Sequence, residues 1–524
     1  MTLLRRWSPN VGVTATLLSL VLVPAGTTAA EPHGGDRLEL TNVTPADPRP
    51  VSAAEYATRR AALAEEMGDG VLVVFGASAP ELDYLPYAQN SSFRYLTGLL
   101  EPDAGLLIVK EGDRVEESLF VLRRNPDREL WEGARLGTEG ATALTGIPSH
   151  PNDRFIATLE EEVARLGRLY VLTPLMGDAL REGTLTREQQ ILRGVIDRVP
   201  DVEVVPIGQA IQRLRSLKSP VELDLIRRAV EVTVIGHREA IRSIEPGMNE
   251  FEIQALFEYY FRRNGAERPA YSSIVGSGPN STTLHYRTND RTMQAGEVVL
   301  MDVGASYRGY AADVTRTVPV SGTFSPEQRE IYEIVLAAQK AAEEQIRIGG
   351  GWSAVNRAAD QVIAEGLARL GLIDAPDATY YCAAPSAENA CPQFRLYYMH
   401  ALGHGVGLDV HDPEISYFET FQPGSAFTLE PGIYIRSDVL DHLRDSPENR
   451  AMTERLRPAV SRYAGIGIRT EDVYLITEAG VERVSAGVPR EIDDIEALMA
   501  ETGTGQHDRR PEMIRWYERT TPGR

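Results

Sequence analysis

Two β-rich stretches, residues 296–304 and 310–318, flank a short turn-prone segment, and each carries one aspartate, Asp302 and Asp313, among apolar neighbours. Runs of strand formers on either side of a turn predict a hairpin. With the turn centred on Tyr307 and Arg308, the two aspartates face each other on one side of the sheet, their Cβ atoms about 5 Å apart. Like charges opposed in this way destabilise a sheet, and the strand around Asp302 is otherwise apolar. The pair therefore asks for a cation between its members. The alternative is a hairpin shifted in register, with one aspartate in water.

Three of the nine histidines fall within one short stretch, His400, His404 and His411. The spacing of His400 and His404 is that of a helical zinc pair, but Gly403, Gly405 and Gly407 disfavour a helix there, and no Glu follows the first His. Glycine on both sides of His404 points instead to extended backbone that another chain segment approaches closely. Two more acids lie in strand-like contexts. Glu430 stands at the end of an apolar run just before Pro431-Gly432, and residues 465–475 read as one longer strand whose period of two puts Arg469 and Glu471 on one face. Taken singly, each acid reads as a solvated or ion-paired side chain.

The rest of the chain sets the frame. Its 524 residues suffice for roughly three domains, and a formal net charge of −21 argues against a nucleic-acid partner. Residues 1–30 read as a secretory signal: Arg5 and Arg6, an apolar stretch from Val11 to Val23, then Thr28-Ala29-Ala30 before Glu31. That stretch falls short of the roughly 20 residues of a spanning helix, so an uncleaved anchor is the lesser reading, and no later segment looks transmembrane. Export implies an oxidising compartment and favours a disulfide between Cys382 and Cys391. The alternatives are two free thiols, or a metal site, which two cysteines alone do not complete.

Residues 31–51 form an aperiodic lead-in. Residues 52–207 alternate helical and strand-like runs, as expected of a smaller α/β domain. Ser219-Pro220-Val221-Glu222 and Ser325-Pro326-Glu327-Gln328 both read as capping boxes with proline at the first helical position. They open helices expected to reach about Ile244 and Ile348.

The set Asp302, Asp313, His404, Glu430 and Glu471, in that order and in those contexts, resembles the dinuclear metal site of the pita-bread metallopeptidases. The resemblance covers residues 218–485 and implies an α+β catalytic domain over 218–490, with 491–524 as a C-terminal extension. His285-Tyr286, the 404–411 segment and Ile468-Arg469-Thr470-Glu471 resemble its proline-specific branch. The first domain, through residues 87–98 and 131–137, resembles the amino-terminal domain of bacterial aminopeptidase P.

The resemblance implies a metal-dependent Xaa-Pro aminopeptidase acting through a metal-bridging hydroxide. Asp302 and Asp313 would hold one metal, Asp313 and Glu471 would bridge, and His404 and Glu430 would complete the other. Glu430 would also serve as general base. His285 and His411 would donate hydrogen bonds to the substrate carbonyl, His400 would line the proline pocket, and Arg469 would orient the acids. Four carboxylates and one imidazole form an oxygen-rich set that suits Mn²⁺, with Zn²⁺, Co²⁺ and Fe²⁺ also compatible. The expected substrates are peptides with proline second, the expected setting periplasmic or extracellular without a stable membrane anchor, and the expected assembly a homo-oligomer. Residues 380–392 and 437–464 read as insertions that narrow the entrance, which keeps an Xaa-Pro dipeptidase as the alternative. A metal-free pita-bread binding protein is the reading from another class, and methionine aminopeptidase is disfavoured by export and the extra domain.

Overall fold

Six strands open the structure: β1 (Gly70–Phe75), β2 (Gly105–Glu111), β3 (Arg114–Val121), β4 (Ser149–Pro151), β5 (Arg168–Val171) and β6 (Glu203–Pro206). They make one mixed sheet in the order β4-β3-β2-β1-β5-β6. The alternation of a strand explains why its run Gly70–Phe75 is apolar throughout. Leu72 and Val74 point into one core with Leu63 and Ala64 of the helix Ala53–Glu65. Val71 and Val73 point into the other, with Leu159 and Val163 of Phe155–Leu166 and Leu192 and Val195 of Arg187–Arg198. The computed structural model describes residues 49–80, 87–172, 185–382, 390–413 and 420–514. The signal at 1–30 and most of the lead-in lie outside them.

A larger core holds most of the rest, from Leu223 to Leu498, with a small separate cluster of Ile274, Leu300 and Tyr434. Its first helix, Pro220–Ser243, starts as the sequence predicts, with Ser219 and Glu222 closing a reciprocal capping box. The helix Pro326–Glu343 opens with the same device but ends five residues earlier than expected. There Gln345 and Ile346 donate to the Ala342 and Glu343 carbonyls three residues back, tightening the chain and burying Ile346.

The central strands are β7 (Arg268–Pro269), β8 (Ile274–Ser277), β9 (Val298–Val303), β10 (Ala305–Tyr307), β11 (Tyr310–Ala311) and β12 (Val314–Pro319). The hairpin forms, but its register differs from the expected one: Thr315, not Asp313, lies opposite Asp302. The reason is the turn. Tyr307 pairs with Tyr310, so the two central residues are Arg308 (φ 48°) and Gly309 (φ 81°). A two-residue turn with both central φ values positive matches the twist of the strands, and glycine takes the second place at no steric cost. Asp313 becomes the diagonal neighbour of Asp302.

Further on, β13 (Thr379–Tyr381) pairs with β14 (Ala390–Pro392), and the bond between Cys382 and Cys391 ties this hairpin together. Residues 383–389 lie outside the described residues. The 437–464 segment contains the helix Pro447–Tyr463, capped by Ser446. The last strands are β15 (Ala426–Leu429), β16 (Gly432–Ile435), β17 (Ile466–Arg469), β18 (Asp472–Thr477) and β19 (Gly480–Arg483). The single strand expected over 465–475 is two, with β17 pairing β16 and β18 pairing β15. Pro431 opposite Thr470 has no N–H to give, so the Thr470 carbonyl accepts from Gln339 Nε2 at 3.2 Å instead, while the Glu471 N–H donates to the Thr315 carbonyl at 3.0 Å. Among the described residues no helix is long and apolar enough to cross a membrane.

His237 packs edge-on against Phe257 and donates Nε2–H to the Val314 carbonyl at 2.9 Å. Complete burial, reinforced by the nearby Arg316 charge, lowers its pKa to about 3. The unfolded chain therefore binds a proton that the folded chain refuses between the usual histidine value of about 6.5 and 3, and stability falls as pH drops through that window. In urea titrations from pH 6.5 to 4.5, His237→Gln should flatten the slope of stability against pH by up to about 1.4 kcal/mol per unit. An unchanged slope would remove His237 from the acid response.

Candidate metal centre

The acids gather where two ladders are interrupted. Between β9 and β10 the chain passes so close to its partner that a Cβ on Gly304 would stand 1.8 Å from the Ala312 carbonyl oxygen, so only glycine fits. This break brings Asp313 beside Asp302. In the second ladder Leu429 pairs with Asp472 and Gly432 with Arg469, a constant register that sets Glu430 opposite Glu471 across the gap. The His404 segment runs extended beside β15: Thr428 N–H donates to the His404 carbonyl at 2.8 Å, and a Cβ on Gly403 would lie 2.1 Å from the Thr428 carbonyl. The close approach read from the glycines is present.

These elements bring all five predicted ligands to the floor of one cleft of about 580 Å³, with His285, His400, His411 and Arg469 among its other lining residues. His404 Nε2 is 3.4 Å from both Asp313 Oδ2 and Glu430 Oε1. Ligand atoms of Asp313, His404 and Glu471 lie within 4.8 Å of one another, close enough for one cation to touch all three.

The electrostatics show what this cluster lacks. Burial, with the charge of Asp302, raises the Asp313 pKa, and burial with Asp313 and Glu430 raises that of Glu471 well above the carboxylate range. Burial pushes Glu430 up to about 7. Against the desolvation that burial imposes, the hydrogen bond to Asp313 and the charge of Glu430 raise His404 to about 9. The acids thus demand positive charge and draw a proton onto the imidazole to supply it. Glu471 Oε1 is buried with no hydrogen-bond partner. Tyr271 Oη meets Oδ1 of both Asp302 and Asp313, yet a hydroxyl has one proton to donate. An orphaned carboxylate oxygen, a doubly contacted hydroxyl and an oxygen-rich donor set fit divalent cations better than they fit a bare polar cluster.

Three residues of the site escape the sequence reading. Thr315 accepts from Arg469 Nε at 3.2 Å and donates to Glu471 Oε2 at 2.7 Å, so it fixes one oxygen of that carboxylate. Tyr271 sits between the aspartates, with nothing in its local sequence to single it out. Tyr434 accepts from Arg469 Nη1 and meets His400 Nε2, both at 2.9 Å. Its signal was available, since it lies on β16 four residues after Glu430. Arg469 also pairs with Asp302 and reaches within 4.0 Å of Glu430.

Comparison with known proteins agrees with this geometry. Residues 56–170 match the aminopeptidase P N-terminal domain, and residues 224–478 match metallopeptidase family M24. An Xaa-Pro aminopeptidase of Escherichia coli K12 is 34% identical over 464 residues, 86% of this chain and 98% of its own. The proline aminopeptidase P II of Yersinia pestis superposes with a TM-score of 0.72 at 32% identity, covering 86% of this chain and 100% of that one. A human Xaa-Pro dipeptidase is 30% identical over 441 residues, 79% of this chain and 84% of its own. The chain belongs to metallopeptidase family M24.

Two outcomes follow from the crowded acids. Asp302→Asn should lose bound divalent metal, measured by elemental analysis, and turnover, with an unchanged circular dichroism spectrum; full metal content would remove Asp302 from the ligand set. Glu471→Gln, which relieves the crowding with Asp313 and Glu430, should melt in chelator at a temperature no lower than the parent chain. A lower melting temperature would mean the carboxylate is held by the fold itself.

Proposed function

We propose that the chain is an exported, dinuclear, manganese-dependent Xaa-Pro aminopeptidase. The observation that supports this most is the convergence of Asp302, Asp313, His404, Glu430 and Glu471 in one cleft with His285, His400 and His411, in a chain that matches Xaa-Pro aminopeptidases over 86% of its length. Asp302, Asp313, His404, Glu430 and Glu471 would together hold the two metals. The two metals, when bound, acidify the attacking water and polarise the scissile carbonyl.

The remaining residues divide the work. Glu430 takes the proton of the water and passes it to the leaving amine. His411, lowered to about 4 by desolvation and by His404, is neutral at physiological pH and has an N–H to offer the substrate carbonyl. His285 lines the same cleft and serves the same oxygen. His400 is lowered to about 4 by burial and by Arg469. Its Nδ1 lies 2.7 Å from the Ala401 carbonyl and donates to it, leaving Nε2 to accept from Tyr434. Both ring nitrogens are then occupied, and the imidazole presents a flat wall suited to a proline ring.

A second reading, Xaa-Pro dipeptidase, is favoured by the human relative and by the disulfide-tied hairpin that leads into the His400 segment. The two separate on substrates. The mature protein loaded with Mn²⁺ should release the first residue from Xaa-Pro dipeptides and from longer Xaa-Pro peptides, while cleavage of dipeptides alone would assign it as a dipeptidase. Export follows from residues 1–30, and the secreted protein should begin at Glu31 by N-terminal sequencing.

A further inference from the structure

The loop between His404 and His411 connects the first core to the cleft wall. Leu408 packs against both the first core and the catalytic one. Ser91, at the start of the helix Ser91–Thr97, donates to the Asp409 carboxylate at 2.5 Å. Arg215, in the helix Gly208–Ser216 that closes the first half, donates from Nη2 to Asp409 at 2.6 Å and to Asp412 at 2.5 Å. Lys218 Nζ stands 2.9 Å from the other Asp412 oxygen.

This is no surface pairing. The side chains of Arg215, Lys218 and Asp412 are 6%, 1% and 2% exposed, and the two cations balance the two carboxylates. Buried charges without partners are costly, so the three buried groups fix one another, and the half-exposed Asp409 adds a second carboxylate to Arg215. Asp412 also shapes the loop from within. Its N–H donates to the Gly405 carbonyl at 2.9 Å, and its carboxylate accepts from the Asp409 N–H at 3.1 Å. It occupies the space where a Cβ on Gly407 would lie, 2.6 Å from its Cγ. The next residue back is His411, whose ring stands 4.0 Å from that of His404, centroid to centroid. Neither Arg215 nor Lys218 lines the cleft.

We propose that Arg215 and Lys218 are positioning residues: by clamping Asp409 and Asp412 they hold the His411 imidazole in its orientation beside His404. The first core thereby contributes to hydrolysis without touching substrate. The inference rests on the role assigned to His411 above. A group misplaced by about 1 Å in a hydrolytic site costs up to about 100-fold.

The test is a double-mutant cycle on the full, metal-loaded chain. Arg215→Gln should lower kcat/KM on an Xaa-Pro peptide by about 10- to 100-fold with bound metal unchanged. In a His411→Ala background the same substitution should cost less than about threefold, because the residue acts through the imidazole already removed. Losses that multiply, or metal lost together with activity, would overturn the proposal. Should Arg215→Gln not fold, Lys218→Met carries the same cycle.

A second readout needs no turnover. In ¹⁵N-histidine-labelled protein, with His411 assigned through His411→Ala, Arg215→Gln should shift or broaden the His411 signal and leave His237 in place. An unmoved His411 signal would overturn the clamp. A parent chain inactive on every Xaa-Pro peptide would defeat the function proposed above, while the imidazole signals still decide the clamp.

Discussion

Four carboxylates and one imidazole share the floor of a buried cleft, and much of the catalytic core is arranged to tolerate that. Like charges at this spacing raise one another's pKa and oppose folding unless positive charge is drawn in. A regular sheet would place such acids on alternating positions of paired strands and hold them at fixed cross-strand distances. This fold instead breaks both ladders at the acids, between β9 and β10 at Gly304 and between β15 and β16 at Glu430 and Pro431. The breaks let Asp302 of β9, the acids between strands and His404 converge on one volume.

Broken ladders leave backbone carbonyls without partners, and buried carbonyls must be paired. Arg316 and Gln339 meet that demand from behind the cleft. Arg316, fully buried, donates to the carbonyls of Thr315 and Glu471 while pairing with Asp472 at 2.7 Å. Gln339 Nε2 donates to the carbonyls of Leu429 and Thr470. A buried ion pair is weak evidence of stabilisation in itself, since desolvation offsets much of the attraction. Here its hydrogen bonds go to Thr315 and to Glu471 at the break between β17 and β18, so the pair holds a local conformation that the ladders alone would not keep.

The five residues that gather in the cleft were legible as a set, through the family resemblance their motifs carry together; singly, only Asp302 in its apolar run and His404 between glycines stand out. The capped helix starting at Pro220 was legible for a similar reason, since capping is settled within four residues. What escaped is what depends on partners distant in sequence. Nothing near Tyr271 announces that Asp302 and Asp313 will flank its hydroxyl, and Thr315 matters only through a hairpin register that a turn centred on Arg308 and Gly309 decides. The strand expected over residues 465–475 was broken by a proline some forty residues away, across the sheet.

The sequence by itself determined the family, and through that resemblance singled out Asp302, Asp313, His404, Glu430 and Glu471, because capping boxes, glycine punctuation and short motifs are local properties that short stretches display. Only the tertiary structure decided how those residues meet: the diagonal rather than opposed aspartates, the Tyr434 and Thr315 contacts that orient Arg469, and the grip of the first half on the His411 loop. The physical reason is range. Side-chain direction along a strand follows from a period of two, whereas convergence on a common cleft is set by where ladders break and which distant groups satisfy the backbone at those breaks.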